Sequence, residues 1–240
     1  MSTIDSNLEA QLQRLKLYYL SKNHIDFVGR ATRKNWGAQR IIEEISRLEL
    51  EEAKKRGIQS RLSAANLGRY RPFADFDWKW PKRINRELIE RLFTLSFLDE
   101  PANVILLGPA GVGKTMIAKN LAYQAALIGH SVLFEDASKM LSDLGQQESP
   151  RALEQRLKRY TRPKLLVIDE VGYLSFSTRA ADLMFQVVSR RDEIGATILT
   201  TNVPFKDWGT VFPGDACASV MIDGLTHHAE VQLIEEDSYR

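Results

Sequence analysis

Apolar side chains in the first 100 residues recur at the three- and four-residue spacing of helices. Leu8, Leu12, Leu15 and Tyr19 follow this spacing and predict a first helix. The segment "GAQRIIEEISRLELEEAKKRG" predicts a second helix, which Gly57 is expected to end because glycine is common just beyond helix C-termini. A third helix is predicted through "INRELIERLFTLSFL". The N-terminal part of the chain is therefore expected to be helical.

Beyond Pro101 the pattern changes to short apolar runs that alternate with helical segments. The runs are "VILLG", "SVLFED", "KLLVIDE", "TILTTN" and "EVQLIEE", and they predict five strands. Alternating strands and helices are typical of a parallel sheet that is covered on both faces. The sequence therefore predicts an α/β domain with a five-stranded parallel sheet over residues 71–240. A small helical domain over residues 1–70 precedes it, with the boundary at "RYRPF".

Composition and charge narrow the class of protein. With 44% hydrophobic and 27% charged residues, the chain is typical of a globular protein, and no apolar run approaches the roughly 20 residues of a membrane helix. The N-terminus lacks the basic start and apolar core of a secretory signal. Cys217 is the only cysteine, which excludes an internal disulfide and a cysteine-rich metal site, and a reducing cytoplasm fits best.

The segment "GPAGVGKT", residues 108–115, has the glycine and lysine spacing of a phosphate-binding loop. Glycines let the backbone turn tightly and direct N–H groups at phosphate oxygens, and the helix that follows aims its positive end at the same place. Lys114 is expected to reach the β- and γ-phosphates of ATP, and Thr115 to hold Mg²⁺. The predicted cofactor-binding residues are Gly108, Pro109, Ala110, Gly111, Val112, Gly113, Lys114, Thr115 and Met116.

Two predicted strands end in polar residues that suit nucleotide hydrolysis. Asp169 ends "KLLVIDE" and is predicted to orient a water molecule in the Mg²⁺ shell. Glu170 follows it and is predicted to polarise the water that attacks the γ-phosphate, which favours hydrolysis over transfer to a metabolite. Asn202, after "TILTT", is favoured as the residue that holds this water or the γ-phosphate, although an asparagine there also suits a turn.

The positive charge is concentrated in the N-terminal part of the chain. Residues 1–100 carry 19 Lys and Arg against 14 Asp and Glu, whereas residues 101–240 carry 14 against 17. Two acid-free windows, residues 27–42 and 54–71, contain no Asp or Glu and interleave cations with aromatic rings. This pattern suits binding to a nucleic-acid backbone and equally suits a solvated helix surface. The candidate DNA contacts are Arg30, Arg33, Lys34, Lys54, Lys55, Arg56, Arg61 and Arg69.

Several separate segments resemble one family. "GPAGVGKTMIAKNLAYQA", "LLVIDEVGYLSF", "DLMFQVVSRRDE", "TILTTNVPFKDWGTVF" and "LTHHAEV" resemble the IstB-like AAA+ ATPases, helper proteins of bacterial insertion sequences that are similar to the helicase loaders DnaC and DnaI. The resemblance covers the chain from about residue 71 to its end. It implies an AAA+ core that binds ATP, assembles into homo-oligomers on duplex DNA and recruits or stimulates a separate transposase. ATP hydrolysis then controls the assembly.

The resemblance also assigns roles to individual residues. Lys114, Glu170 and Asn202 are the implied catalytic set, with Asn202 as the sensor, and Thr115 and Asp169 the Mg²⁺ ligands. Arginines that act across a subunit interface are sought among Arg190, Arg191 and Arg240. No helical lid is expected after the sheet. One position departs from the family, which usually reads Asp-Arg-Leu where this chain has Asp223, Gly224 and Leu225, and slow hydrolysis is therefore expected.

Three alternatives remain at this point. A helicase loader has the same fold and differs in its partner. A small-molecule P-loop kinase needs an arginine-rich lid, which the sequence does not show, and Glu170 after Asp169 argues against it. A clamp that binds ATP without hydrolysing it is suggested by Gly224.

Overall fold

A computed structural model describes residues 3–81, 83–100, 102–173, 175–192, 194–213, 215–226 and 228–235. Contacts divide the chain into two compact units, residues 1–60 and 61–240. The sequence predicts this boundary ten residues later, at residue 71. Residues 61–70 group with the second unit because they are bonded into it: the Phe134 N–H donates to the Ala65 carbonyl, and Arg61 Nε donates to the Ala126 carbonyl.

The helical prediction for the N-terminal part is confirmed, but the helix bounds differ. The structure contains α1 (Thr3–Arg14), α2 (Tyr18–Arg33) and α3 (Ala38–Ala64). The predicted first helix is two helices, because Lys16 adopts a left-handed conformation with φ of 61°. Gly57 does not end α3, which continues to Ala64. The next left-handed residue is Asn66, with φ of 56°.

The first unit is stabilised by a small apolar core and by an unusual helix cap. Leu20, Phe27 and Leu48 form the buried centre of this core. No side chain next to α2 caps its first turn. Instead the carboxylate of Glu49, on α3, accepts hydrogen bonds from the Tyr19 and Leu20 N–H groups at 3.1 and 2.8 Å. This charge suits the positive end of α2.

The second unit alternates strands with helices as predicted. The predicted third helix shortens to α4 (Arg86–Leu92), because Leu95 has a left-handed backbone and a 3₁₀ turn follows it. The strands are β1 (Asn103–Leu107), β2 (Val132–Asp136), β3 (Leu165–Val171), β4 (Ala196–Thr201) and β5 (Ala229–Leu233). The remaining helices are α5 (Lys114–Ile128), α6 (Ala137–Gly145), α7 (Pro150–Thr161), α8 (Thr178–Arg191) and α9 (Asp215–Thr226).

The five strands form one parallel sheet in the order β2-β3-β4-β1-β5, which confirms the predicted fold class. Successive side chains point to opposite faces. Val104 and Leu106 therefore join the core under α5, whereas Ile105 joins the core under α6, α7 and α8. Parallel strands place their carboxyl ends at one edge of the sheet, and that edge carries the predicted site.

None of the helices among the described residues is long and apolar enough to cross a membrane.

Candidate nucleotide-binding site

The loop between β1 and α5 has the backbone that its glycines predict. Gly111 and Gly113 have φ of 85° and 93°, in the left-handed region where side chains are strained. A Cβ atom at Gly113 would also lie 2.6 Å from Cε2 of the buried Phe76, and one at Gly108 would lie 2.2 Å from the Ile234 carbonyl oxygen. Gly108 is thus required by close packing, Gly111 by its backbone conformation, and Gly113 by both.

Lys114, the first residue of α5, lies over this loop. Its Nζ donates to the carbonyls of Gly108 and Pro109, each at 2.6 Å. Burial lowers the pKa of Lys114, while the carboxylates of Asp169 and Glu170 act in the opposite direction. The ammonium group is therefore held at the mouth of the loop, beside the first turn of a helix whose N–H groups suit an anion.

Asp169 is buried at the end of β3 and is held by two hydroxyl groups. Its Oδ1 accepts hydrogen bonds from Thr115 Oγ1 at 3.0 Å and from Thr200 Oγ1 at 2.5 Å. A carboxylate beside a threonine hydroxyl, next to a phosphate loop, is the oxygen-rich environment that Mg²⁺ prefers. The residues present therefore fit a nucleotide with its Mg²⁺ ion.

Glu170 has a strained backbone and an exposed side chain. Its φ is 61°, and the pairing of β3 with β4 shifts register between Ile168 and Val171. The Glu170 N–H donates to Thr200 Oγ1 at 2.9 Å. Partial burial raises the pKa of Glu170, and the neighbouring carboxylates of Asp169 and Asp136 raise it further. Strain of this kind is typical of functional sites.

One cleft of about 280 Å³ brings the predicted residues together. Its lining includes Lys114, Thr115, Glu170 and Asn202. Asn202 is exposed and lies directly beyond β4, as predicted from "TILTTN". A bound phosphate chain on the loop would face both the carboxylate and the amide.

The family of the chain follows from comparison with known proteins. Residues 10–240 match the model of the IstB-like ATP binding protein family. The chain belongs to this family. This confirms the resemblance that the separate motifs indicated.

Two relatives extend the match across most of the IstB-like chain. It is 34% identical over 233 residues to the insertion sequence IS21 putative ATP-binding protein of Pseudomonas aeruginosa, covering 97% of this chain and 88% of the relative. It is 33% identical to the insertion sequence IS232 putative ATP-binding protein of Bacillus thuringiensis subsp. berliner, covering 97% and 93%. Family membership supports ATP binding by this chain, and both of these relatives are named as ATP-binding proteins of insertion sequences.

Solved structures agree on the fold of the IstB-like chain. The DnaI structure matches with a TM-score of 0.57 and 17% identity, covering 70% of this chain and 92% of DnaI. The DnaC helicase loader matches with a TM-score of 0.52 and 18% identity, covering 71% and 96%. At this identity the likeness shows a shared AAA+-like fold and nothing finer.

The candidate arginines of the IstB-like chain differ in their surroundings. Arg190 is half-exposed and forms an ion pair with Glu154 at 2.7 Å. Arg191 is 2% exposed and bonded to the core, so its guanidinium does not reach the surface of the chain. The structure removes Arg191 from the candidates for a contact across subunits, because its guanidinium is buried and donates to Thr197 Oγ1 and the Ala196 carbonyl. Burial also lowers the pKa of Arg191 to about 10. Arg240 lies outside the described residues.

One other prediction changes in detail. Met116 does not line the cleft formed by Lys114, Thr115, Glu170 and Asn202. It packs partly against the core and lines a neighbouring cleft with Arg69, Arg71 and Lys119.

Thr200 is a site residue that sequence reasoning missed, since a threonine inside an apolar strand is indistinguishable from a β-branched core residue. It is buried and links the side chain of Asp169 to the backbone of Glu170.

The predicted DNA contacts fall into two groups. Lys34, Lys54 and Lys55 are exposed and form no ion pair with any described acidic side chain. The other first-unit arginines contact their own unit: Arg56 lies 3.7 Å from the centre of the Tyr18 ring, Arg30 donates to Tyr19 Oη, and Arg33 donates to the Gly29 carbonyl. In the second unit, Arg69 is exposed, whereas Arg61 is anchored to Ala126.

Proposed function

We propose that this chain is an ATP-dependent transposition helper. It assembles as a homo-oligomer on duplex DNA in the cytoplasm, recruits or stimulates a transposase, and uses ATP hydrolysis to control the assembly. The observation that carries the ATPase part is the cleft lined by Lys114, Thr115, Glu170 and Asn202, with Asp169 buried beside it and hydrogen-bonded to Thr115. The insertion-sequence names of its relatives support the transposition part.

In the proposed reaction each side chain has one task. Lys114 balances the charge of the β- and γ-phosphates, and Thr115 and Asp169 hold Mg²⁺, which when bound neutralises phosphate charge. Glu170 accepts a hydrogen bond from the attacking water and takes its proton as the water oxygen bonds to the γ-phosphorus, while the bond from that phosphorus to the β–γ bridging oxygen breaks and ADP leaves. Asn202 orients that water or the γ-phosphate. Thr200 fixes the Asp169 side chain relative to the Glu170 backbone, because its hydroxyl donates to the Asp169 carboxylate and accepts from the Glu170 N–H.

A helicase loader is the alternative, because the DnaI and DnaC structures share the fold. The two functions differ in partner. Purified chain should therefore be tested for ATP- and DNA-dependent binding to the transposase encoded beside it and to the replicative helicase of the same cell. Binding to the helicase alone would replace the transposition proposal with the loader.

The DNA part of the proposal predicts a role for the exposed lysines of α3. The double variant Lys54→Gln/Lys55→Gln should weaken duplex DNA binding at all sequences. The slope of log affinity against log salt concentration should flatten by up to about 0.9 for each phosphate that the variant no longer neutralises. Fluorescence anisotropy at several salt concentrations measures both quantities.

The matched control is Arg14→Gln/Lys22→Gln, which removes two exposed cations of the same unit outside the acid-free windows. ATP affinity should be unchanged in both variants, since the nucleotide residues belong to the other unit. Equal reductions of DNA affinity in the two variants would show that only net charge matters and that Lys54 and Lys55 form a solvated surface.

Hydrolysis is proposed to be slow because Gly224 supplies no side-chain charge. A Cβ atom at this position, in α9, would lie 3.8 Å from Val188 Cγ1, which is ordinary van der Waals contact, so a longer side chain can be introduced there. Arginines that act across interfaces contribute roughly 10³–10⁵ in rate in well-studied NTPases. Gly224→Arg should recover part of this, with DNA-stimulated turnover rising about tenfold or more and ATP affinity changing much less.

Gly224→Gln is the control, because it adds a side chain of similar length without charge. Steady-state ATPase assays with saturating duplex DNA compare the two variants with the wild type. Rapid wild-type turnover that Gly224→Arg does not increase would assign this task to another arginine, with Arg190 and Arg240 the remaining candidates.

A further inference from the structure

The outward face of α7 is a continuous polar surface. The inward face buries Leu157 and Tyr160 against the core, with Leu153 partly buried beside them. The opposite face carries four polar side chains, three of them cationic, at spacings of three and four residues, so they lie side by side along one side of the helix. They are Gln155, Lys158, Arg159 and Arg162.

These side chains line a shallow cleft of about 400 Å³ together with Ser131 and Pro163. Arg159 forms an ion pair with Glu135 at 3.5 Å, whereas Lys158 and Arg162 pair with no acidic side chain among the described residues. Residues 155–168 contain five cations and no Asp or Glu, although residues 101–240 as a whole carry more acidic than basic side chains. Of the five, Arg156 pairs with Asp143 and does not line the cleft, so the unpaired positive charge of this face comes from Lys158 and Arg162.

A buried arginine fixes the turn that follows the cleft. Arg191 Nη1 donates to the carbonyls of Tyr160, Thr161 and Pro163, at 3.1, 3.3 and 2.8 Å. Its Nε donates to Thr197 Oγ1 at 3.0 Å, which ties the turn to β4. The C-terminal end of α7 and the start of β3 are thereby held in one arrangement. The backbone that carries the cations of the cleft is therefore already ordered. The entropy cost of ordering it on binding is small, which favours affinity.

We propose that this face of α7, with Lys158 and Arg162 at its centre, is a second contact surface for the sugar-phosphate backbone of duplex DNA. It lies on the ATPase unit and is additional to the lysines of α3. The inference rests on the proposed function, which supplies duplex DNA as the polyanion.

The composition of the cleft favours a nucleic acid over a protein partner. Backbone contacts to DNA come from Lys, Arg, Ser and Gln side chains, which are the types present here. The hot spots of protein interfaces are desolvated Trp, Tyr or Arg side chains, and Lys and Ser are depleted there, whereas this cleft has no aromatic lining and its cations are exposed. Lys158 and Arg162 are four residues apart, about 6 Å along the helix, so they can reach nearby phosphates of one strand.

The test uses the full chain, ATP and a duplex of random sequence. Lys158→Gln/Arg162→Gln should lower duplex affinity several-fold at low salt and flatten the salt slope by up to about 0.9 for each phosphate that is no longer neutralised. ATP affinity and thermal unfolding should stay at wild-type values. Lys79→Gln/Arg179→Gln, which removes two exposed cations of the same unit elsewhere, is the matched control and should change the slope less. Lys158→Arg/Arg162→Lys keeps both charges and should retain binding.

The outcomes separate this surface from the proposed function. A wild-type chain that does not bind duplex DNA refutes both. Wild-type binding with an unchanged affinity and slope in Lys158→Gln/Arg162→Gln refutes only the α7 surface. Cations in the last turn also stabilise a helix through its dipole. If Lys158→Gln/Arg162→Gln lowers the unfolding temperature and reduces ATP affinity as much as DNA affinity, Lys158 and Arg162 have a structural role and the proposal is refuted. Loss of polyglutamate binding as large as the loss of DNA binding would assign the surface to an acidic protein instead.

Discussion

Glu170→Gln is expected to lower ATP turnover about 10²–10⁴-fold, the contribution usual for a positioned general base. Glutamine keeps the size of the side chain and its hydrogen-bonding capacity, but it cannot take a proton from water. ATP affinity should change little, because the phosphate contacts proposed for Lys114 and the loop are untouched. The variant should therefore accumulate as an ATP-bound assembly on DNA, measurable by single-turnover kinetics beside nucleotide titration.

The pH dependence gives a second readout for Glu170. The neighbouring carboxylates and partial burial raise the pKa of this group. Because the charged form is needed, turnover should fall as pH drops through a value above that of an ordinary glutamate. This acidic limb should disappear from the residual activity of Glu170→Gln. Glu148→Gln, at an exposed position between α6 and α7, is the control and should keep both rate and profile. A Glu170→Gln chain with wild-type turnover would contradict the assignment.

Local signals explain why the strands and the phosphate loop could be predicted. β1 to β4 are short and largely buried apolar runs with helices on both faces of the sheet, so hydrophobicity alone marks them, whereas β5 is an only partly buried edge strand. The loop needs glycine where Phe76 and Ile234 approach the backbone, and that need appears in the sequence as a fixed spacing. Asp169 and Glu170 lie near the C-terminal end of β3 and Asn202 directly follows β4, and parallel topology then places them at one edge.

The predictions that failed depended on contacts between distant residues. Arg191 looks like an exposed cation at a helix end, but carbonyls from the α7–β3 turn surround its guanidinium in the fold. Nothing near Lys16 in the sequence requires a break, yet Glu49 from α3 caps the new helix that starts beyond it. Thr200 is similar, since its role appears only when β4 lies beside β3. Each case needs a partner about 30 residues away, which periodicity does not encode.

Lys114→Ala is expected to lower ATP affinity by about 10²–10⁴-fold. A hydrogen bond to a charged group contributes roughly 1.5–3 kcal/mol, and the substitution removes two such contacts with the β- and γ-phosphates. Of the two carbonyls that the ammonium group now contacts, that of Pro109 belongs to an exposed residue, so water can replace the ammonium group there. The fold should therefore survive, with an unfolding temperature close to that of the wild type.

Nucleotide-dependent assembly should fail in the same variant. At ATP concentrations that assemble Glu170→Gln on DNA, Lys114→Ala should sediment as the unassembled chain, because the loop no longer holds the nucleotide. Lys139→Ala removes an exposed lysine of α6 and should assemble normally. Isothermal titration with ATP and sedimentation velocity with duplex DNA measure the two effects. At a fixed ATP concentration, the lower ATP affinity of Lys114→Ala leaves a smaller fraction of its nucleotide sites occupied. If this variant still assembles at the ATP concentrations that assemble the wild type, ATP binding at this loop does not control the oligomer.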